Sequence, residues 1–280
     1  MKYYCPATNS ELLDLTTHLQ GDEYSILAGG TDIVPRIKMG KPLPQHVIDI
    51  KKLIDLDGVQ ISGTEVSIGA LTSVEDIRNN EILKRHLASL TQAAEQFAGV
   101  QIRHRATIGG NICNASPAGD LLPGLYAADA EVSILSKDGI RRQSIREFIL
   151  APEKTTLKPG ELLYNIHLPI TGRNSMFYKL GLRQSMAISV VNLAISWESS
   201  STGAIHFSLT SGSVAPTVVY LKHFADAVNS SPRDLDTFLP LIDKDISPIT
   251  DIRATSDYRR QVLKNIVRHE LKTILEAPVV

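Results

Sequence analysis

The sequence has 280 residues, of which 43% are hydrophobic and 21% are charged, as in an ordinary globular protein. Its 29 basic and 30 acidic side chains give a formal net charge of -1, which excludes a strongly basic surface for nucleic acid or an anionic membrane. The two cysteines, Cys5 and Cys113, form no CxxC pair. They therefore exclude an iron–sulfur cluster or a structural zinc ion held by this chain's cysteines alone.

The chain shows no segment suited to a membrane. Residues 1–6 lack the apolar core of a signal peptide. The most apolar run, 188–197, is interrupted by Ser189, Asn192 and Ser196 and is too short to span a bilayer. We therefore expect a cytoplasmic protein with reduced cysteines and no membrane span.

The first lobe is predicted to contain a helix, a strand, a glycine turn and a second strand. Residues 8–11 (Thr-Asn-Ser-Glu) match a capping box that begins an amphipathic helix. Residues 24–28 form a β-prone run that stops at a Gly-Gly pair. Asp32 can then cap a short helix that tolerates Pro35 in its first turn. Residues 47–50 predict another strand, and we place the end of this lobe at residue 55.

The middle of the chain mixes strands and helices. Apolar residues alternate over 59–61 and 66–68, as in paired strands, and Ser73 can begin a helix. A longer helical pattern over 89–98 stops at Gly99, which we predict to be the glycine that terminates this helix. Further along, we expect a helix over 121–130 and a hairpin of strands 132–135 and 140–145, joined at Lys137-Asp138-Gly139.

The last third begins near Arg173 and is predicted to be a separate α+β unit. Three strand-like runs cover 176–180, 188–197 and 205–210, and the chain then becomes helical. The final helix is predicted from an apolar stripe formed by Tyr258, Val262, Leu263, Ile266, Val267, Leu271, Ile274 and Leu275. The sequence therefore predicts a mixed α+β protein with units at 1–55, 56–172 and 173–280.

Several common catalytic motifs are absent from the sequence. It contains no GxGxxG, no GxxxxGK[ST], no GxSxG and no HExxH. The eight histidines show no metal-ligand spacing, and His167, within a strand-like run, is best interpreted as a structural residue. What remains is a pair of Gly-Gly segments, 28–32 and 107–111, each surrounded by small or hydroxyl residues.

The two glycine segments are candidates for holding a diphosphate. Its negative charges must meet donors if it is to be buried, and consecutive N–H groups at Gly-Gly turns form such sites, because glycine permits close approach and positive φ. Thr31, Thr107 and Asn111 add side-chain donors. Asp32 would repel a diphosphate, so we expect its carboxylate to cap the backbone or to turn away. Either segment alone also fits a tight strand-to-helix turn.

Three segments resemble motifs of a known family. Residues 26–33 (ILAGGTDI) and 101–117 (QIRHRATIGGNICNASP) resemble the two FAD motifs of the medium subunits of xanthine dehydrogenase and carbon monoxide dehydrogenase, which carry the flavin of molybdenum hydroxylases. Residues 248–260 (PITDIRATSDYRR) resemble the family's C-terminal signature. The three matches occur in order along the whole chain, so their combination is specific.

The resemblance implies a fold and a set of FAD contacts. The fold would be a two-lobed FAD-binding domain of the vanillyl-alcohol-oxidase/PCMH type, followed by a smaller α+β C-terminal domain of the CO dehydrogenase flavoprotein type. The glycine segments would wrap the diphosphate, Phe97 and Leu163 would lie against rings, and Asp120 would contact a hydroxyl group. The residues implied to bind the cofactor are Ile26, Leu27, Ala28, Gly29, Gly30, Thr31, Asp32, Ile33, Phe97, Thr107, Ile108, Gly109, Gly110, Asn111, Asp120, Leu163 and Lys179.

The resemblance also implies an electron-transfer role. A molybdopterin-binding large subunit would hydroxylate the substrate, and [2Fe-2S] clusters of a small subunit would pass electrons singly to the FAD of this chain. The FAD would deliver them to NAD or another acceptor. The loop 180–187 lacks the acidic residues that xanthine dehydrogenases often carry there, which argues against NAD. Lys179 or Arg183 would stabilise the negative charge of reduced flavin. The substrate would be oxidised on another chain, and an N-heterocycle is our first expectation.

Other interpretations remain open at this point. Without the resemblance, Phe97 and Leu163 fit core packing, and Lys179 fits a solvated strand lysine. A free-standing flavoenzyme, similar to the UDP-N-acetylenolpyruvoylglucosamine reductases, would use the same type of FAD fold. It would need acid–base residues over the flavin, and we find no dedicated set of them. A non-catalytic scaffold would have broken glycine segments, whereas both are intact here.

Overall fold

The computed structural model describes residues 1–199, 205–232 and 235–276 of the chain. Three sheets dominate the architecture, and each has its own apolar core. Helices and strands alternate irregularly along the chain, so the predicted α+β class is confirmed.

The first lobe is a parallel three-stranded sheet with two helices. Its strands are β1 (Lys2–Tyr4), β2 (Tyr24–Leu27) and β3 (His46–Asp49), with β3 between the other two. Helix α1 (Asn9–His18) begins at Thr8, whose hydroxyl accepts a hydrogen bond from the Glu11 N–H, as the capping box predicts. Helix α2 (Ile33–Lys38) follows the first glycine pair. The edge strand β2 therefore leads directly into a glycine turn and a helix.

The second lobe is built on an antiparallel five-stranded sheet. In spatial order its strands are β4 (Val59–Ser62), β5 (Glu65–Gly69), β10 (Leu162–Pro169), β6 (Glu131–Ser136) and β7 (Gly139–Ser144). The central strand β10 comes from the end of the lobe and pairs with β5 on one side and β6 on the other. Leu162 is buried in the core of the first lobe and Leu163 in that of the second, so β10 joins the two lobes.

Short helices and a small hairpin cover this sheet. The helices are α3 (Val74–Asn79), α4 (Glu81–His86), α5 (Ala88–Glu95), α6 (Val100–Arg103), α7 (Ile108–Asn114), α8 (Leu121–Ala127) and α9 (Ile145–Phe148). Strands β8 (Ile149–Ala151) and β9 (Lys154–Thr155) form the hairpin. Ser73 begins α3 as predicted, since its hydroxyl accepts a hydrogen bond from the Asp76 N–H. The predicted hairpin at residues 137–139 is also confirmed.

The predicted end of the long helix at Gly99 is wrong. Helix α5 ends at Glu95 and its C-cap is Gln96. Gly99 has an extended backbone (φ -106°, ψ 165°) and lies at the N-cap of α6 instead. The left-handed conformation that we expected at a terminating glycine is taken by Ala98, with a φ of 38°. Helix α5 therefore ends before the position that Gly99 indicates.

The third unit is an antiparallel four-stranded sheet packed against helices. The strands are β11 (Asn174–Gly181), β12 (Ser189–Ser199), β13 (Ile205–Gly212) and β14 (Val219–Tyr220), hydrogen-bonded in that order. The helices are α10 (Lys222–Ser230), α11 (Leu235–Phe238) and α12 (Ser256–Glu276). The three predicted strands and the final helix are thus confirmed.

One position of the predicted apolar stripe on α12 is wrong. Tyr258 is 51% exposed, whereas the next residue, Arg259, is buried with 3% exposure. The Arg259 guanidinium donates to the carbonyl oxygens of Val190 and Ser213 and to the Asp251 carboxylate. A buried arginine is acceptable here because three acceptors surround it. Through the hydrogen bond to Val190, the Arg259 side chain connects the start of α12 to β12.

His167 has the structural role that we predicted. On β10, its Nδ1 accepts a hydrogen bond from the Arg142 guanidinium at 3.0 Å, and its Nε2 lies 3.0 Å from the Ser133 hydroxyl. Burial, together with the positive charge of Arg142, lowers the pKa of His167. The neutral ring is therefore the favoured form, and both of its nitrogens have partners.

Candidate cofactor site

A cleft of about 570 Å³ separates the first lobe from the second. The edge of β2, the first glycine segment and α2 form one wall, and α7 and β10 form the other. The two glycine segments, which are distant in the sequence, thus meet at one site. The predicted site residues that line the cleft are Ile26, Ala28, Gly29, Gly30, Thr31, Asp32, Ile33, Phe97, Thr107, Gly109, Gly110, Asn111 and Leu163.

The first glycine segment is an open turn with free donors. The backbone N–H groups of residues 29–32 donate to no acceptor in the described part of the chain. Gly30 has a φ of 76°, which favours glycine. Gly29 instead permits the first lobe to approach the second closely, because a Cβ on it would lie 1.7 Å from the Arg105 carbonyl oxygen of the second lobe. Consecutive free N–H groups of this kind can hold an anion.

The second glycine segment is the first turn of α7 rather than a loop. The N–H groups of residues 108–111 all have acceptors within the chain, and the Thr107 hydroxyl caps the helix by accepting from the Gly110 N–H at 3.1 Å. The predicted positive-φ anion site is therefore wrong for this segment. Gly109 permits close packing instead, since a Cβ on it would lie 2.6 Å from the Ala70 carbonyl oxygen.

Asn111 is one of the polar residues of α7 that line the cleft. Its Oδ1 atom is buried and has no hydrogen-bond partner among the described residues. Leaving a buried amide oxygen unpaired is unfavourable, so a ligand that donates to it would be stabilised. The facing wall offers the free N–H groups of residues 29–32 to an anion. A dinucleotide such as FAD carries both a diphosphate and sugar hydroxyls, so the cleft residues fit this cofactor.

Asp32 lies at the N-cap of α2, but its side chain makes no capping hydrogen bond. The predicted cap is therefore wrong, because the residue has helical angles (φ -104°, ψ -48°) instead of the extended ones that capping needs. The residue is among those that line the cleft. Partial burial raises the pKa of Asp32, and Glu153 adds to this effect while Arg36 opposes it.

This raised pKa leads to a pH prediction. Lowering the pH through the pKa of Asp32 converts a carboxylate, which repels a diphosphate, into a neutral group that can donate a hydrogen bond. FAD affinity should therefore rise as the pH falls through that range, which lies above the ordinary aspartate range. Titrations that follow FAD fluorescence at several pH values would measure it. Asp32→Asn should bind FAD at least as tightly as the parent protein, and its FAD affinity should not change over this pH range. If the variant kept the pH dependence of the parent, the prediction would be contradicted.

The apolar residues of the prediction divide into two groups. Phe97 and Leu163 border the cleft while packing against the core of the second lobe, so they can face a ring and contribute to that core. Leu27 does not line the cleft, and Ile108 is fully buried. Contacts of Leu27 and Ile108 with the cofactor stay predictions.

Asp120 and Lys179 form a buried ion pair outside the cleft. Lys179 Nζ lies 2.6 Å from Asp120 Oδ2, and their side chains are only 6% and 8% exposed. Lys179 also donates to the Gln96 carbonyl oxygen, and Asp120 accepts from the Ser189 hydroxyl and the Asn192 amide. The pair joins α8 to β11 and β12. Because neither residue lines the cleft, their contacts with the cofactor stay predictions.

A second cavity of about 310 Å³ lies beside this pair. It is lined by Gln96, Lys179 and the loop 180–187. Within the loop, the Arg183 guanidinium donates to the Met186 carbonyl oxygen at 2.6 Å. Gln96 immediately precedes Phe97 of the cleft, so the two spaces are neighbours. The predicted effect of Lys179 or Arg183 on reduced flavin concerns this region and stays a prediction.

Sequence reasoning missed several polar residues of the cleft. Arg36 and Asn114 both line it, and so does Cys113, whose thiol stays protonated because burial raises its pKa to about 12. Arg36 follows Asp32 by one helical turn, and this spacing was a usable signal. Asn114 lies within the second motif, residues 101–117. Glu153, on the β8–β9 hairpin, gave no comparable signal in the sequence.

Residues 1–199, 205–232 and 235–276 contain neither a cluster of potential metal ligands nor a helix suited to a membrane. Within these ranges, no group of three His, Cys, Asp or Glu side chains is placed to hold a metal ion. No helix in the same ranges is long and apolar enough to cross a membrane.

Two family models match the chain. Residues 1–171 match the FAD binding domain in molybdopterin dehydrogenase, and residues 176–274 match the CO dehydrogenase flavoprotein C-terminal domain. Among curated relatives, the xanthine dehydrogenase FAD-binding subunit of Escherichia coli O157:H7 is 28% identical over 98% of this chain and 95% of its own. The nicotinate dehydrogenase FAD-subunit of Eubacterium barkeri is 27% identical over 98% and 96%.

Solved structures agree with this match. Carbon monoxide dehydrogenase from Hydrogenophaga pseudoflava superposes with a TM-score of 0.90 at 26% identity, covering 96% of this chain and 95% of the other. Quinoline 2-oxidoreductase from Pseudomonas putida 86 gives a TM-score of 0.90 at 20% identity, over 99% and 97% of the two chains, which shows a shared fold. The expected fold, an FAD-binding domain followed by an α+β C-terminal domain, is confirmed.

Proposed function

The chain belongs to the family defined by the FAD-binding domain of molybdopterin dehydrogenases, and from this premise we propose that it transfers electrons within a molybdenum hydroxylase. As a relative of xanthine, nicotinate and carbon monoxide dehydrogenase subunits, it is an FAD-binding oxidoreductase subunit. The proposal concerns the path of the electrons. They would come from [2Fe-2S] clusters of a partner subunit, reach the FAD of this chain, and leave to NAD or another acceptor.

The observation that carries the proposal is the pair of glycine segments on opposite walls of one cleft. The free N–H groups of residues 29–32 would bind the diphosphate, and Asn111 would accept a hydrogen bond from a hydroxyl group. Phe97 and Leu163 would pack on rings and exclude water. FAD, when bound, supplies a flavin that can accept electrons singly and release them in pairs. The chain's own contribution is to bind and orient the cofactor.

We further propose two partner chains, a molybdopterin-binding large subunit and a [2Fe-2S] small subunit. Relatives support this by their names, since the carbon monoxide dehydrogenase proteins of Afipia carboxidovorans and Hydrogenophaga pseudoflava are called medium chains. The two cysteines of this sequence are also too few for a cluster of its own. A cytoplasmic location and units at 1–55, 56–172 and 173–280 belong to the same proposal.

The acceptor is the least constrained part of the proposal. The loop 180–187 beside the second cavity carries Arg183 and no acidic residue. This charge pattern favours an acceptor other than NAD. Mixing the reduced complex rapidly with NAD and following flavin reoxidation would decide the point, because fast reoxidation by NAD would contradict this preference.

Copurification tests the main proposal. A tagged chain isolated from its native host should be yellow, carry one FAD per chain, and bring with it a molybdenum-containing chain and an iron–sulfur chain. Adding the complex's substrate should bleach the flavin. A colourless protein that binds no FAD on reconstitution would overturn the proposal.

The same preparation separates the alternatives. A free-standing flavoenzyme, similar to the UDP-N-acetylenolpyruvoylglucosamine reductases, would turn over without partner chains. A scaffold would contain no flavin. An isolated chain that binds FAD, turns over no substrate alone and becomes active only with its partners would support the role of an electron-transfer subunit.

A further inference from the structure

Arg36 connects the two walls of the cleft. It lies on α2 in the first lobe, and its Nη2 atom donates to Oδ1 of Asn114 at 2.8 Å and to Oε1 of Glu153 at 2.7 Å. Both acceptors belong to the second lobe, and all three residues line the cleft. The contact therefore joins the two walls of the cleft in which FAD is proposed to bind.

Glu153 occupies a backbone position that disfavours it. Strands β8 and β9 are joined by Pro152 and Glu153, and Glu153 has a φ of 59°. A proline followed by a residue with positive φ is typical of a type II turn, whose second central residue is usually glycine or asparagine. A glutamate at this point strains the turn. We therefore infer that a contact of the Glu153 side chain outside the turn favours glutamate at this position.

The second acceptor is held in a similar way. Asn114 ends α7 and precedes Ala115, which has a φ of 47°. The Glu153 N–H donates to the Ala115 carbonyl oxygen at 3.4 Å. Two left-handed residues that are not glycine thus place the Asn114 amide and the Glu153 carboxylate side by side, facing Arg36. Two residues with positive φ that are not glycine, Ala115 and Glu153, therefore adjoin this contact, and backbone strain next to a side-chain contact is consistent with a functional role for it.

We propose that Arg36, Asn114 and Glu153 form a strap that closes the cleft over FAD and slows its release. The proposal rests on the proposed function, because it requires FAD in the cleft. The strap holds α2 against the end of α7 and so keeps the N–H groups of residues 29–32 opposite Asn111. The Arg36 and Glu153 side chains are 42% and 67% exposed, so salt screens their attraction and the strap can open.

The test measures FAD release from the purified complex. Arg36→Ala and Glu153→Gly should each release FAD roughly two- to fivefold faster, the range expected for losing an ion pair of this exposure. In the parent, added salt should speed release, and in both variants this dependence should shrink. The double variant should resemble Arg36→Ala, because that substitution already removes both the ion pair with Glu153 and the hydrogen bond to Asn114. Lys38→Ala, which removes an exposed cation from the same helix, should behave as the parent.

Glu153→Gly also separates the strap from general stability. Glycine accepts the φ of this position, so the thermal midpoint of the variant should equal or exceed that of the parent. Faster FAD release from a protein of equal or greater stability has no explanation in a weakened fold. Hydrogen exchange of residues 33–39 in FAD-free protein should rise in both variants, which tests the strap without the cofactor.

Two results would overturn the strap. The first is parent-like FAD release by Glu153→Gly; if Arg36→Ala alone then accelerated release, Arg36 would act on the cofactor directly. The second is full additivity of the two substitutions. A parent complex that holds no FAD would instead contradict the proposed function, while the exchange measurement would still report on the strap.

Discussion

Replacing Asp120 with alanine is expected to lower the free energy of unfolding by about 3–5 kcal/mol, the usual cost of removing one partner of a buried ion pair. The Lys179 ammonium would remain in a site where it is only 6% exposed, with the Gln96 carbonyl oxygen as its remaining hydrogen-bond partner. The Ser189 hydroxyl would also lose its acceptor. Denaturant titration of parent and variant would measure the difference. The predicted contact of Asp120 with FAD would act in addition to this structural role.

Two further variants test whether the unpaired charge of Lys179 causes this loss of stability. Asp120→Asn keeps the shape and an acceptor oxygen, so it should destabilise the protein less than alanine does. Adding Lys179→Met to Asp120→Ala removes the unpaired charge and should restore part of the lost stability. If Asp120→Ala kept the stability of the parent and lost only FAD, the side chain would act on the cofactor alone.

The second large effect is expected at Gly29. A Cβ there would lie 1.7 Å from the Arg105 carbonyl oxygen and 2.6 Å from its carbonyl carbon, and backbone atoms cannot move aside as a flexible side chain can. Gly29→Ala should therefore separate the lobes and destabilise the protein by about 3 kcal/mol or more, at or above the usual range for an overpacked site. Thermal unfolding and FAD content would both fall.

Gly110→Ala is the matched control. Gly110 also belongs to a Gly-Gly pair, but it is helical, and its nearest neighbour would be the Thr107 hydroxyl at 3.0 Å. The gain in helix propensity offsets this tight contact, so its stability should stay within about 1 kcal/mol of the parent. Equal stability of Gly29→Ala and the parent would show that the close approach is dispensable.

Elements with a local signal were predictable from the sequence. The capping hydroxyls of Thr8 and Ser73 and the turn at residues 137–139 depend on neighbours within a few residues, and all are confirmed. The fold and the cofactor came from the resemblance, whose motifs lie in the two segments that form the cleft walls. Each of these features is encoded within a short window.

Long-range and atypical features were not predictable. Helix α7, which Thr107 caps, was not predicted because two glycines lie in its first turn and glycine has a low helix propensity. The Arg36–Glu153 contact and the Asp120–Lys179 pair join residues far apart in the chain, and no pattern within one segment announces them. Nor does a sequence show that the N–H groups of one glycine segment are free while those of the other are occupied. The N–H groups of Ile108 and Gly109 are occupied because α7 begins beside residues 70–72 of the same lobe, which is a tertiary contact.

The position of β10 sets the order in which this protein can mature during synthesis. It fills the gap between β5 and β6, although residues 162–169 follow β5 by a long stretch of chain. Closing so large a loop is slow, and until this strand has left the ribosome the two sheet halves have no common partner. Leu162 and Leu163, which line the cleft, arrive on the same strand. The cleft is therefore incomplete until residues 162–169 have left the ribosome and joined the sheet, which requires synthesis to continue beyond residue 169.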